Sequence, residues 1–165
     1  MPRIEPLPAP PGANPLQYSM IAGIMARRPE VLEAFGALNR SLRFEGLLPS
    51  ALKESVRRAT AYKVGCRYCA TVGGEPEAEF ADRREELAVR LAEQIAENPK
   101  AVSDEQFDAL RAEFSDDELV ELVCWICLVT VAGQMFGAVM DVREATTDEA
   151  VAYREAVLAR TTSAA

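Results

Sequence analysis

Apolar residues recur every three or four positions along most of the chain, and valine and isoleucine seldom alternate singly with polar residues. That periodicity predicts an all-α fold, a bundle of several helices. Met20, Ile21, Ile24 and Met25 mark a first helix over Leu16 to Arg27. Pro29 suits a first turn and opens a second, with Val31, Leu32, Phe35, Leu38 and Leu42 at helical spacing. Ser50 reads as the N-cap of a third, carrying Ala51, Leu52, Val56, Ala59 and Tyr62 and ending near Lys63. Gly65 follows as a residue able to turn, and a further helix is expected from near Arg67. Asp82 to Asn98 reads as amphipathic, with Leu87, Leu91 and Ile95 on one face, ended by Asn98-Pro99. Capping-box patterns at Ser103–Gln106 and Ser115–Glu118 open a short helix with Phe107 and Leu110 and then a long one. Asp148 to Arg160 (Val151, Ala152, Ala156, Leu158) closes the series.

The long helix poses the one ambiguity of the pattern. Leu122 to Met140 carries no charged residue and is long enough to count as a transmembrane candidate. Thr130, Gly133, Gln134 and Gly137 interrupt it, and its flank is acidic (Asp116, Asp117, Glu118, Glu121) rather than basic. A helix apolar all round is also what a bundle centre or a subunit interface uses, and a buried core helix is the expectation. Residues 1–15 are rich in proline and form an arm outside the helical domain, either a loose tail or a strap over a neighbouring subunit. A single domain over 16–160 and a flexible tail over 161–165 complete the division.

Composition narrows the class of function. The chain has 165 residues, enough for one domain with a real core, and 49% of them are hydrophobic. A net charge of −8 and the lack of a basic stripe with interleaved aromatics count against nucleic acid or an anionic membrane as partner. The N-terminal MPRIEPLPAPPGANP lacks an apolar signal core, and four cysteines do not make a disulfide scaffold of the small secreted kind. A cytoplasmic, reducing setting is expected. There a C-x-x-C reads as redox or metal chemistry.

Such a pair stands at Cys66 and Cys69, in the expected opening turn of the helix after Gly65. Unpaired N–H groups and the helix dipole favour a thiolate at that place, and the thiolate is the nucleophile. If the two helices fold back about Gly65, equal rise on both arms sets Glu54 opposite Gly73 to Pro76. A carboxylate there could accept or relay a proton when a cysteine ionises. Three readings stay open for the pair: a redox dithiol, half of a zinc site shared with Cys124 and Cys127, or an inert pair. Cys124 and Cys127 themselves read as small core residues in an apolar helix.

Glu54, then Cys66 twelve residues on, then Cys69 resembles the E-x11-C-x-x-C core of the alkyl hydroperoxidase D and carboxymuconolactone decarboxylase superfamily. The likeness spans roughly residues 16 to 142 and includes the final helix pair from Asp104 to Val142. In the peroxidase branch a histidine follows the second cysteine by four residues; here that position is Gly73, and the chain has no histidine. The resemblance implies an alkyl hydroperoxidase D-like bundle, usually trimeric or a multiple of three, with the uncharged helix at an interface. It implies a thiol peroxidase or disulfide reductase with three catalytic residues. Cys69 would attack peroxide, Cys66 would resolve the sulfenic acid, and Glu54 would be the base. The partners would be a peroxide or disulfide substrate and a protein or small-thiol reductant, with no cofactor or metal. With glycine at 73, water or the hydroxyl of Tyr62 or Tyr68 would complete the relay, and peroxide turnover would be weak at neutral pH. Two alternatives belong to other classes. One is a lyase of the carboxymuconolactone decarboxylase type, binding an acidic substrate through Arg57, Arg58 or Arg67. The other is a non-catalytic oligomeric scaffold or redox partner.

Overall fold

The structure, a computed structural model, describes residues 1–13 and 19–161, the side chains of 158–161 excepted, and is all-helical there. The expected helix start at Leu16 and the tail 162–165 lie outside the described residues. The helices are α1 (Met20–Met25), α2 (Pro29–Phe44), α3 (Ser50–Val64), α4 (Arg67–Gly73), α5 (Arg83–Glu97), α6 (Asp104–Arg111), α7 (Asp116–Cys127), α8 (Phe136–Val139) and α9 (Thr147–Thr161). Between α7 and α8 the chain stays helical but widens to a π-helical stretch over Leu128–Met135. Together these three segments form one continuous element.

Local chemistry accounts for the boundaries. Ser19, Asp82 and Ser103 cap their helices by accepting from Ala22 N, Glu85 N and Gln106 N. Ser115 and Glu118 form a full capping box, each bonding the other's backbone N–H. Ser50 differs from expectation. It lies inside α3, whose N-cap is Pro49, and its hydroxyl donates to Arg43 O at 3.1 Å, tying the end of α2 to the start of α3. Gly65 ends α3 at φ 78°, in the left-handed region, which glycine enters without steric cost.

Helix α3 is the centre of the molecule, packing against α4, α5, α7 and the π-helical stretch. One apolar cluster joins α3, α5 and α7 through Leu52, Val56, Leu91, Leu122, Trp125 and Ile126. A second joins α1 to α4 through Ile21, Ile24, Met25, Tyr68, Cys69 and Val72. Phe35 of α2 touches both. The arm lies along its own chain: Arg3 N donates to Met140 O and Leu7 N to Gly23 O, each at 2.9 Å. A Cβ at Gly23 would press on Pro6 and Leu7 at 2.9 Å, so the bare glycine admits the arm.

The long element departs from the expectation of a buried core helix, since within the described residues only one of its faces is covered. Asp116–Val139 is long and apolar enough to cross a membrane by composition, yet it packs with one face only. Leu119, Leu122, Trp125, Ile126, Val129 and Gln134 are buried, while Val120, Val131 and Val139 are more than half exposed. Cys124 and Cys127 lie on the exposed side, not in the core. The buried face is not wholly apolar either. Lys53 of α3, 1% exposed, meets Glu121 at 2.6 Å, and the Trp125 indole N–H donates to Lys53 O at 2.8 Å.

Candidate active site

The turn at Gly65 brings the two cysteines and Glu54 to neighbouring places. Cys66 is the N-cap of α4, its sulfur accepting from Cys69 N at 3.2 Å, and the two cysteines are joined as a disulfide. Both are buried, Cys66 wholly and Cys69 to within 6%. They face different ways. Cys66 Sγ is seated against Gly137 of α8, where a Cβ would come within 2.7 Å of the sulfur. Cys69 instead lines a cavity of about 110 Å³.

Glu54 lies on the adjoining stretch of α3, with Oε1 3.1 Å from where a Cβ on Gly73 would stand. The carboxylate is crowded with donors. Arg57 reaches it with Nε at 2.9 Å and Nη2 at 2.7 Å, the Tyr153 hydroxyl with 2.9 Å, and Arg43 Nη1 with 3.3 Å. Burial by itself would raise the Glu54 pKa, but the charge and hydrogen bonds of Arg57, then Arg43 and Tyr153, hold it at about 2. The carboxylate is therefore ionised, and a poor proton acceptor at neutral pH. That differs from the expected base: its lone pairs are committed to guanidinium groups, which sequence spacing does not reveal.

Arg57 is the residue the spacing argument missed. A Cβ on Gly73 would coincide with its guanidinium, so the space that a side chain at 73 would take is filled by arginine from α3. Its Nη1 donates to Cys69 O at 2.8 Å, which ties it to the second cysteine. Burial works against its charge, but Tyr153 and Glu54 outweigh that and hold it more firmly protonated than a free arginine. Its own carbonyl accepts from Gln134 Nε2 at 2.8 Å, anchoring α3 to the π-helical stretch. A local widening of this kind often marks a functional place in a helix. Here it supplies Leu128, Val129, Gly133 and Gln134 to the cavity wall.

Arg43 of α2 and Tyr153 of α9 complete the cluster. Arg43 Nη1 donates to the Tyr153 hydroxyl at 3.0 Å, and its guanidinium lies 4.8 Å from the centre of the Trp125 ring. The tyrosine hydroxyl that reaches Glu54 is that of Tyr153, not of Tyr62 or Tyr68. Tyr62 is half exposed, and Tyr68 lines the cavity with its pKa pushed up to about 12 by burial. Of the three arginines proposed for an acidic substrate, only Arg57 lines the cavity. Arg58 pairs with Glu77 at 3.0 Å and Arg67 with Asp141 at 2.6 Å. Among the described residues no cluster of cysteine, aspartate or glutamate could hold a metal, and Cys124 and Cys127 are free thiols apart from the disulfide.

No protein-family model and no curated protein matches the chain. Solved structures do. The chain is similar to apo Bmp8, a debrominase, with a TM-score of 0.62 and 20% identity over 86% of this chain and 82% of that one. It is also similar to a cysteine-to-alanine variant of Bmp8 in complex with 2,3,4-tribromopyrrole, with a TM-score of 0.56 and 18% identity over 84% of this chain and 82% of that one. At these identities the likeness shows the fold alone, an all-helical bundle, as the sequence periodicity predicts.

Proposed function

We propose that the chain is a thiol-dependent redox enzyme whose Cys66–Cys69 pair cycles between dithiol and disulfide at the cost of a small electrophilic substrate. The observation that carries this reading is the different placement of the two cysteines. Cys69 faces a cavity beside an ion-pair cluster, and Cys66 is packed behind it against Gly137. In the reduced protein, Cys69 then meets the substrate and Cys66 resolves.

With a peroxide, the Cys69 thiolate attacks one oxygen, the O–O bond breaks, and the alkoxide leaves with the thiol's proton as an alcohol. The sulfenic acid so formed is attacked by Cys66, the S–S bond forms, and water leaves. A protein or small-thiol reductant restores the dithiol by exchange. Arg57 is the positioning residue, its guanidinium fixed by Glu54 and by Cys69 O. A fixed positive charge favours a thiolate without an imidazole. Glu54 serves as the anchor for that charge.

A second reading, reductive dehalogenation, has support in the likeness to Bmp8 and in the apolar cavity walls of Ile21, Phe35, Val72 and Val129. Its balance uses the same dithiol: a carbon–halogen bond is replaced by carbon–hydrogen, halide leaves with a proton, and the disulfide forms. Mass spectrometry of wild type, Cys66→Ser and Cys69→Ser after brief stoichiometric hydrogen peroxide tests the first reading. Loss of two hydrogens in the Cys66–Cys69 peptide, with a sulfenic acid trapped on Cys69 in Cys66→Ser, is the expected result. Thiols that stay reduced for minutes sink it. Bromide release from 2,3,4-tribromopyrrole by the reduced protein then tests the second.

A further inference from the structure

Reduction of a peroxide needs a proton as well as a thiolate. When the Cys69 thiolate takes one oxygen and the O–O bond breaks, the other oxygen leaves as hydroxide or alkoxide, a strong base. Among the described residues, few groups at the cavity could protonate it. The chain has no histidine, and Glu54 is ionised with no proton to give. The guanidinium groups of Arg43 and Arg57 keep their protons, and amides are not acids. Ser19 is itself an alcohol, no more acidic than the one to be made. Two phenols remain, Tyr68 and Tyr153.

Their surroundings separate them. Burial, and then the Glu149 carboxylate, push the pKa of Tyr68 up to about 12, so its phenolate is disfavoured. Tyr153 stands between cations. Its hydroxyl accepts from Arg43 Nη1 at 3.0 Å, and the guanidinium carbons of Arg57 and Arg43 lie 5.3 and 5.8 Å from the centre of its ring. Charge in the cluster points the same way. Arg43 and Arg57 share one carboxylate, that of Glu54, and Arg58 is met by Glu77. A phenolate at Tyr153 is the second anion against two guanidinium groups, so giving up its proton brings the cluster to neutrality. Nor does the turn of the hydroxyl strand anything. At rest Tyr153 donates to Glu54 Oε2 at 2.9 Å, and that oxygen keeps Arg57 Nε and Arg43 Nη1 when the O–H swings toward the cavity.

We infer that Tyr153 is a catalytic residue, the acid that protonates the oxygen expelled when Cys69 attacks a peroxide. This rests on the reading of Cys66–Cys69 as a peroxide-reducing dithiol. Cys69 gives its proton to water on ionising. Its thiolate then forms the S–O bond, the O–O bond breaks, and the expelled oxygen takes the Tyr153 proton to leave as water or an alcohol. Water returns a proton to the phenolate, so the count closes.

The test compares two oxidants on the reduced full chain, with loss of the Cys69 thiol followed by quenched-flow mass spectrometry. Hydrogen peroxide expels hydroxide and needs the donor, whereas peroxyacetic acid expels acetate, a weak base that needs none. General acid catalysis contributes about 10²–10⁴-fold, so Tyr153→Phe should lower the ratio of the hydrogen peroxide rate to the peroxyacetic acid rate by at least about 100-fold. A tyrosine that only holds Arg43 and Glu54 in place would slow both oxidants alike, and the ratio would stand. On the unaltered protein, deuterium oxide should slow hydrogen peroxide more than peroxyacetic acid, a measurement that holds even where the variant fails to fold. An unchanged ratio, or equal solvent isotope effects, overturns the inference and leaves the dithiol reading intact. A dithiol inert to both oxidants refutes the redox reading itself, and this inference with it.

Discussion

Gly73→Ala is the sharpest perturbation the structure offers, because the smallest possible side chain would land on a buried ion pair. The added Cβ would coincide with the Arg57 guanidinium, and Arg57 is held from three sides by Glu54, Cys69 O and the packing of Tyr153 at 5.3 Å from its ring centre. Two costs bracket the outcome. Overpacking a tight interior costs about 1–3 kcal/mol where neighbours can shift. Separating a buried ion pair costs about 3–5 kcal/mol, because it strands a charge. Arg43 and Tyr153 would still reach Glu54, so the carboxylate is not stranded alone. We therefore expect a loss of about 2–4 kcal/mol by urea denaturation with the disulfide intact. For a chain of this length, that is a fall in Tm of very roughly 5–15 °C. A double-mutant cycle assigns the cause. Arg57→Ala removes the obstructing group, so Gly73→Ala should cost much less in that background, with a coupling of about 1–3 kcal/mol. Additive costs, or a Gly73→Ala protein within about 0.5 kcal/mol of wild type, would refute the idea that Gly73 exists to admit Arg57.

Acid stability follows from Glu54, whose folded pKa of about 2 lies below its ordinary 4.5. A group depressed on folding contributes stability that is fully present above the unfolded pKa and lost as pH falls through the folded one. About 3 kcal/mol should therefore disappear between roughly pH 5 and pH 2, and Glu54→Gln should flatten that limb of a stability-versus-pH curve; an unchanged slope would contradict the cluster. In the native reduced protein, alkylation followed by peptide mapping should label the exposed Cys124 and Cys127 first, Cys69 next and Cys66 last, since only Cys66 is wholly buried. Labelling of Cys66 ahead of Cys69 would reverse the proposed roles. The exposed stripe of Val120, Val131, Met135 and Val139 is the face on which the expected homo-oligomer would close. Val131→Glu should lower the mass seen in sedimentation equilibrium without loss of helicity, and an identical mass for both proteins would contradict closure on that face.

The fold was legible because its signals are local. Pro29, Asp82, Ser103 and Ser115 start helices by chemistry that acts within four residues, and Gly65 stops one by its φ. Even the approach of Glu54 to Gly73 could be obtained from equal rise on two arms about one turn. Periodicity places residues around their own helix only. It could not say that one face of Asp116–Val139 lacks a partner in the chain, so Cys124 and Cys127 read as core although they are exposed.

The site was half legible for the same reason, and the missing half changes its chemistry. Counting from the cysteines finds Glu54, but Arg43 and Tyr153 lie 110 positions apart on different helices, and no spacing joins them. Read along the chain, glycine at position 73 is a deletion: a relay without its imidazole and a carboxylate left as the base. In three dimensions the same glycine is a permission. It clears the volume into which Arg57 folds back, and Arg57 then neutralises Glu54 as a base while bringing a permanent positive charge to the turn that carries Cys69. A histidine there would change charge near neutral pH, whereas an arginine cannot. The reactivity of Cys69 in this chain should accordingly follow the ionisation of the thiol alone, with a single inflection in its pH profile. The rate of alkylation of reduced Cys66→Ser/Cys124→Ser/Cys127→Ser protein, in which Cys69 is the one thiol left, measures this directly. A second inflection there would mean that another group titrates beside the sulfur, and that Arg57 does not do the work of the missing ring.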